Sequence, residues 1–109
     1  MNMENACQVQ TTLPDHSTAM RIGRELVERG PAACFQLTGP ITSIYRWKGE
    51  VRGEREWLCL IKVARSARDE LVEMLRRLHT YEVPEILTLQ CRAEEDYLLW
   101  MEEEAGQSS

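Results

Sequence analysis

Apolar positions along this chain follow two rhythms, one of period two and one near 3.6, and they alternate in blocks. Residues 7–13 read as a first strand that Pro14 ends, and Asp15 is placed to cap a helix. Beyond it Ala19, Ile22, Leu26 and Val27 recur at helical spacing, separated by Arg21, Arg24, Glu25 and Glu28. This helix closes at Arg29-Gly30, with Gly30 as its C-terminal cap and Pro31 blocking continuation. Residues 34–37 form a short apolar stretch that Gly39-Pro40 punctuates. Then Ile41, Ser43, Tyr45 and Trp47 alternate with Thr42, Ile44 and Arg46, Lys48-Gly49-Glu50 makes a turn, and residues 51–63 return. Together these predict a long antiparallel hairpin. A second helix is expected over residues 67–78, capped by Ser66, with Leu71, Leu75 and Leu78 as its stripe, joined by Val72 and Met74. The last strand is expected over residues 83–91, with Pro84 at its start, where a missing N–H is tolerated. A final helix over residues 94–103 carries Tyr97, Leu98 and Met101 on one face.

The order is β-α-β-β-α-β with a terminal helix, which predicts an α+β, ferredoxin-like fold with a long central hairpin. Both inner helices should pack on one face of a four-stranded antiparallel sheet. The run Trp57-Leu58-Cys59-Leu60-Ile61 is apolar on both of its faces. An antiparallel sheet normally leaves one face wet, so a doubly apolar strand needs a second cover, which a copy of the same chain supplies most simply. With 109 residues there is room for one core. The expected domain spans residues 7–104, and the polar ends, 1–6 and 105–109, are expected to fray.

Composition narrows the function classes. The net charge is −5, and the basic residues reach only short pairs such as Arg76-Arg77. A polyanion partner requires a basic stripe to release counterions, so nucleic acid is not an expected partner. No apolar run approaches a membrane span. The start, Met1-Asn2-Met3-Glu4-Asn5, has neither the basic nor the apolar region of a secretory signal. Cys7, Cys34, Cys59 and Cys91 are widely spaced and form no CxxC pair, so they read as small hydrophobes in strands rather than a disulfide framework. The compartment expected is the reducing cytosol.

Candidate chemistry is sparse. The two histidines are His16, beside the first helix start, and His79, before a turn. No nucleophile elbow, P-loop, GxGxxG or HExxH is present; no catalytic residue is assigned and an enzyme is not expected. The group His79-Thr80-Tyr81-Glu82-Val83-Pro84-Glu85 has two readings. It is a polar loop anchored by Tyr81, or a metal site if the loop folds back so that His79 and Glu85 converge. The aromatic group Tyr45, Trp47 and Trp57 is either an interface or core cluster, or a stacking platform for a ring-bearing ligand.

Five blocks carry a family resemblance: Val9-Gln10-Thr11-Thr12-Leu13-Pro14-Asp15, Ala32-Ala33-Cys34, Ser43-Ile44-Tyr45-Arg46-Trp47-Lys48-Gly49-Glu50, Tyr81-Glu82-Val83-Pro84-Glu85 and Tyr97-Leu98-Leu99-Trp100. In this order they resemble the CutA proteins over residues 7–104. The resemblance implies a ferredoxin-like subunit assembled as a homotrimer and linked to tolerance of divalent metal ions, with copper bound by some members. It implies a copper site of a Cys before the first Pro-Asp, a His before the later turn and a Glu after the later Pro. The last two match His79 and Glu85, the metal candidates here, whereas the Cys position reads Thr11. Cys7 lies four residues upstream, roughly 13 Å along a strand, and does not replace it. The family's His-Pro-Tyr reads His79-Thr80-Tyr81, and its basic-Leu-Ala-Ala-Cys segment reads Gly30-Pro31-Ala32-Ala33-Cys34. The trimer is similar in architecture to PII-type signalling proteins, which bind small ligands in clefts between subunits. By that analogy Tyr45, Arg46, Trp47, Lys48 and Tyr81 are ligand-cleft candidates. A scaffolding trimer that recruits another protein is the remaining alternative.

Overall fold

The computed structural model describes residues 4–105. Strand β1 (Ala6–Leu13) leads to helix α1 (His16–Glu28), followed by strands β2 (Cys34–Trp47) and β3 (Glu50–Ala64). A 3₁₀ turn (Arg65–Ala67) opens helix α2 (Arg68–Leu78), and strand β4 (Leu87–Cys91) and helix α3 (Glu95–Glu104) complete the chain. The sheet is antiparallel throughout, in the order β2-β3-β1-β4. Each βαβ unit is therefore split by an inserted strand, the arrangement expected of a ferredoxin-like subunit.

Asp15 caps α1 as its side chain predicts, its carboxylate accepting from the Thr18 N–H at 2.8 Å. That bond holds the Asp15 pKa below the ordinary carboxylate value. Ala19, Ile22, Gly23 and Leu26 of α1 are buried, as are Leu71, Val72 and Leu75 of α2. They cover Cys7, Val9 and Leu13 of β1 and Cys59, Ile61 and Val63 of β3 to form the core. Val27, expected on the α1 stripe, is instead exposed.

Gly30 is not a left-handed cap; the helix ends at Glu28 with Arg29 as its cap residue. A Cβ at Gly30 would lie 2.6 Å from Met74 Sδ and 2.8 Å from the Leu26 carbonyl, so close packing requires the glycine. Ser66 does not cap α2, because the 3₁₀ turn shifts the helix start to Arg68; Ala67 occupies the cap position, with no side-chain bond. Positive φ at Lys48 and Gly49 gives the two-residue hairpin turn whose twist matches the flanking strands.

The expected 83–91 strand is shorter. β4 pairs with β1 only from Gln10↔Leu87 to Ala6↔Cys91, and residues 83–86 lie outside any strand. The physical reason is that His79 occupies the next stretch of the β1 edge: its Nε2 lies 3.0 Å from the Thr12 carbonyl. Of the ends expected to fray, Asn5 is held, exchanging side-chain bonds with the Ala93 N–H and carbonyl; residues 1–3 and 106–109 lie outside the described residues.

Gly23 faces the Phe35 ring, and an added Cβ would sit 2.5 Å from Cδ1. Gly23→Ala gains about 1 kcal/mol of helix propensity and loses about 1–3 kcal/mol to overpacking. Urea denaturation is expected to show a net loss, partly recovered by adding Phe35→Leu. A midpoint raised by Gly23→Ala would show that Phe35 yields freely and that this contact does not set the α1–β2 spacing.

Candidate functional site: a cleft at the root of the hairpin

Sheet parity builds this site. Along β3, Trp57, Cys59, Ile61 and Val63 point toward α1 and α2, so Glu54, Glu56, Leu58 and Leu60 point the other way. β2 breaks its ladder between Thr38 and Ile41, where Pro40 has no N–H to donate. The bulge reverses the parity of β2, and Ile41, Ser43, Tyr45 and Trp47 then sit opposite Glu56, Glu54, Arg52 and Glu50. β1 stops at Leu13↔Trp57, so residues 50–56 of β3 have only β2 beside them, and the hairpin projects as a two-stranded ribbon.

The loop after α2 wraps the edge of β1 and closes the other wall. The result is an open cleft of about 720 Å³ lined by Tyr45, Trp47, Glu54, Glu56, Tyr81 and Glu85, with Thr12, Glu82, Val83 and Pro84 also contributing. Arg52 is its only basic residue. Tyr81 donates to Glu56 Oε2 at 2.7 Å, tying loop to ribbon. Burial and this neighbouring carboxylate push the Tyr81 pKa well above the ordinary value. Glu54, hydrogen-bonded to Tyr45, pushes the Tyr45 phenol up as well.

His79 is held at both ring nitrogens. The Tyr81 N–H donates to Nδ1 at 3.1 Å, which makes Nδ1 an acceptor. The proton therefore sits on Nε2, which faces the Thr12 carbonyl and Thr11 Oγ1, each at 3.0 Å. Burial lowers its pKa below 6.5, keeping the ring neutral, while the Thr12 carbonyl and Glu56 oppose that shift. The fully buried Thr11 hydroxyl thus stands beside His79. Glu85 accepts from Gln10 Nε2 at 3.0 Å.

Of the candidates read from sequence, Tyr45, Trp47, Tyr81 and Glu85 line one cleft. Arg46 lies on the opposite ribbon face, and Lys48 sits at the turn, its Nζ 5.7 Å over the Trp47 ring. Trp57 does not join Tyr45 and Trp47: it packs edge-on against His16 at 4.8 Å, on the helix-covered side. Its ring also comes within 2.6 Å of where a Gly39 Cβ would stand. Among the described residues no three His, Cys, Asp or Glu side chains converge as a metal-holding group. Cys7 and Cys59 are buried, the Cys59 thiol pushed up to about 12, whereas Cys34 is half-buried and Cys91 exposed; all four are free. Glu54 and Glu56 were legible only as members of a charged run; the signal that singles out Glu56 is its place in phase with Leu58 and Leu60.

Fold and cleft together define a split-βαβ α+β domain with a projecting hairpin and an acidic, aromatic-walled cleft at its root. The family model described as CutA1 divalent ion tolerance protein matches residues 7–104. The divalent-cation tolerance protein CutA of Thermus thermophilus is 40% identical over 99 residues, covering 90% of this chain and 96% of that one. Its namesake from Thermotoga maritima is 40% identical over 96 residues, covering 87% and 94%. The solved Thermus thermophilus structure superposes with a TM-score of 0.86 at 39% identity, covering 93% of this chain and 99% of that one. The chain belongs to the CutA1 divalent ion tolerance family.

A histidine buried neutral makes stability fall with acid. Its folded pKa lies below the unfolded value, so its contribution is complete above 6.5 and is lost as the pH falls through the folded value. Urea midpoints measured from about pH 7 to about pH 5 should decline, and His79→Gln, which keeps an N–H donor but does not titrate, should remove part of that slope. Identical slopes in both proteins would show that His79 is not held neutral.

Proposed function

We propose that this protein is a homotrimeric, cytoplasmic, non-enzymatic binder of divalent metal ions, with Glu85 and His79 as ligands. The observation that carries this reading is the cleft: four carboxylates against one arginine, bordered by the His79 loop, in a chain of the divalent ion tolerance family. The family's thiolate copper set does not fit these residues, because a buried Thr11 hydroxyl stands at the Cys position and its oxygen accepts from His79 Nε2–H. Oxygen ligands suit a harder or borderline ion that keeps much of its water. Such an ion reaches Glu85 directly and His79 only after the Tyr81 N–H releases Nδ1.

Self-association is supported by the apolar surface that α1 and α2 leave uncovered. Leu87 and Leu89 of the edge strand β4 are 51% and 49% exposed, and Leu58 and Leu60 are half-buried on the same sheet face. Light scattering should return three times the 12.6 kDa chain mass; a mass of one chain would refute the assembly.

A second reading, a small-ligand sensor of PII type, is favoured by the cleft volume and its Tyr45, Trp47 and Tyr81 rings. The scaffolding alternative has exposed Leu99 and Trp100 on α3 in its favour.

Calorimetric titration of Zn(II) and Cu(II) should show saturation near one ion per subunit, with Zn(II) retained, and affinity reduced about tenfold or more in His79→Ala and Glu85→Gln. Unchanged affinity in both variants would remove these ligands from the site. Absence of saturable binding in the native protein would refute the metal reading itself.

A further inference from the structure

The projecting ribbon has a second face, opposite the cleft. Thr42, Ile44 and Arg46 of β2 stand there across from Arg55, Gly53 and Val51 of β3. By strand parity it belongs to the side of the sheet that carries α1 and α2, yet no helix covers it: all six residues are exposed. Copies of the chain that cover the helix-free face leave this one open. Ile44 is 76% exposed, the highest value of any large hydrophobic among the described residues, and Val51 is 65% exposed. Glu50, Glu54 and Glu56 point the other way, so the charges on this face are Arg46 and Arg55. Neither is among the ion-paired cations of the described residues, which are Arg24, Arg68 and Arg77. In a chain of net charge −5, two unpaired arginines with no carboxylate beside them reverse the sign locally.

Gly53 lies at the centre of this patch. Glycine weakens a strand, and it is found there where the chain bulges, bends, takes positive φ or is closely approached. The ladder runs in register through Ile44↔Gly53, and Gly53 is not among the glycines with positive φ. A Cβ placed on it would meet only Ile44 Cγ1 and the Ser43 carbonyl oxygen, both at 4.0 Å. Gly23, Gly30 and Gly39 each make room for a neighbour in their own chain; Gly53 does not. What remains is close approach from outside.

We propose that this face docks an acidic, extended segment of another protein, with its backbone lying across Gly53. Ile44 and Val51 flank the bare floor and cover apolar side chains of that segment, while Arg46 and Arg55 stand at diagonally opposite corners and take its carboxylates. Four residues along the ribbon and one strand across, those corners are about 14 Å apart, a distance that carboxylates four residues apart in an extended chain span. The inference rests on the scaffolding reading above and gives it a surface other than α3. A basic or neutral segment leaves both arginines unanswered, and a nucleic acid meets only two cations on a negatively charged chain.

The experiment is fluorescence anisotropy of a labelled peptide with two glutamates four positions apart and valines between them, added to the full chain at low salt, beside the same peptide with lysines for glutamates. The glutamate peptide should bind saturably, more weakly as salt rises, and the lysine peptide should not. Gly53→Val suits a strand, and its Cβ meets no atom closer than 4.0 Å, so the variant should fold and weaken binding about tenfold or more by filling the floor. Arg46→Gln combined with Arg55→Gln should weaken binding and remove its salt dependence, and decides the point if Gly53→Val fails to fold. Absence of saturable binding overturns the inference, as does equal affinity for the two peptides or native affinity in both variants. Binding that survives both variants but is lost in Trp100→Ala moves the docking to α3, which overturns this face and leaves the scaffolding reading standing. A light-scattering mass that changes in either ribbon variant shows that the face joins copies of this chain, which overturns the proposed partner.

Discussion

The backbone of β1 is the constraint from which the site follows. Residues Ala6 to Gln10 pair on both sides, with β3 and with β4, whereas Thr11 to Leu13 pair with β3 alone. Thr11, Thr12 and Leu13 are nevertheless buried, and buried carbonyls must find donors. The imidazole of His79 serves Thr12 in place of a strand. That substitution ends β4 at Leu87, fixes the His79 tautomer through the Tyr81 N–H, and carries the loop round the sheet edge until the Tyr81 phenol reaches Glu56. One histidine thus completes a sheet and aims a cleft wall.

The same economy limits what His79 can do for a metal. A ligand nitrogen must offer a lone pair, and the only one His79 has is at Nδ1, where Tyr81 holds it. A metal at Nδ1 would have to displace the Tyr81 N–H, the bond that carries the loop toward Glu56. The identity of residue 11 adds to this. A thiol at that position would bring a soft ligand beside the imidazole; the Thr11 hydroxyl brings a hydrogen bond that helps to keep the ring as part of the fold.

Much of the architecture was legible because the periods are clean. Asp15, the α1 stripe apart from Val27, and the Lys48-Gly49 turn each have a local physical cause, and each is found. The misses come from effects with no local signature. Gly30 reads as a cap, but its role is room for Met74, a residue of another helix. The 83–91 strand looked continuous because Pro84 is permitted at a strand start, yet its pairing was decided by His79 on the far side of β1. Tyr45 and Trp47 line the cleft with Tyr81, whereas Trp57, grouped with them as an aromatic cluster, and Arg46, a cleft candidate, do not. The bulge at Gly39-Pro40 reverses strand parity, and a one-residue change in phase sends a side chain to the opposite sheet face.

That parity change explains the position of the acidic residues too. Had β2 kept its phase past Thr38, its aromatic residues would share the helix-covered side with Trp57, and the outer ribbon face would carry Thr42, Ile44 and Arg46 instead. In that register Arg46 would stand across from Glu50, on the same outer face as Glu54 and Glu56. With the bulge present, Tyr45 and Ser43 take those positions, Arg46 is turned to solvent, and the Tyr45 and Tyr81 phenols hydrogen-bond the carboxylates of Glu54 and Glu56. Phenols donate hydrogen bonds but bring no charge. The break in the β2 ladder therefore gathers Glu54 and Glu56 on the cleft wall beside Tyr45 and Trp47, with Arg52 as the basic residue of that lining.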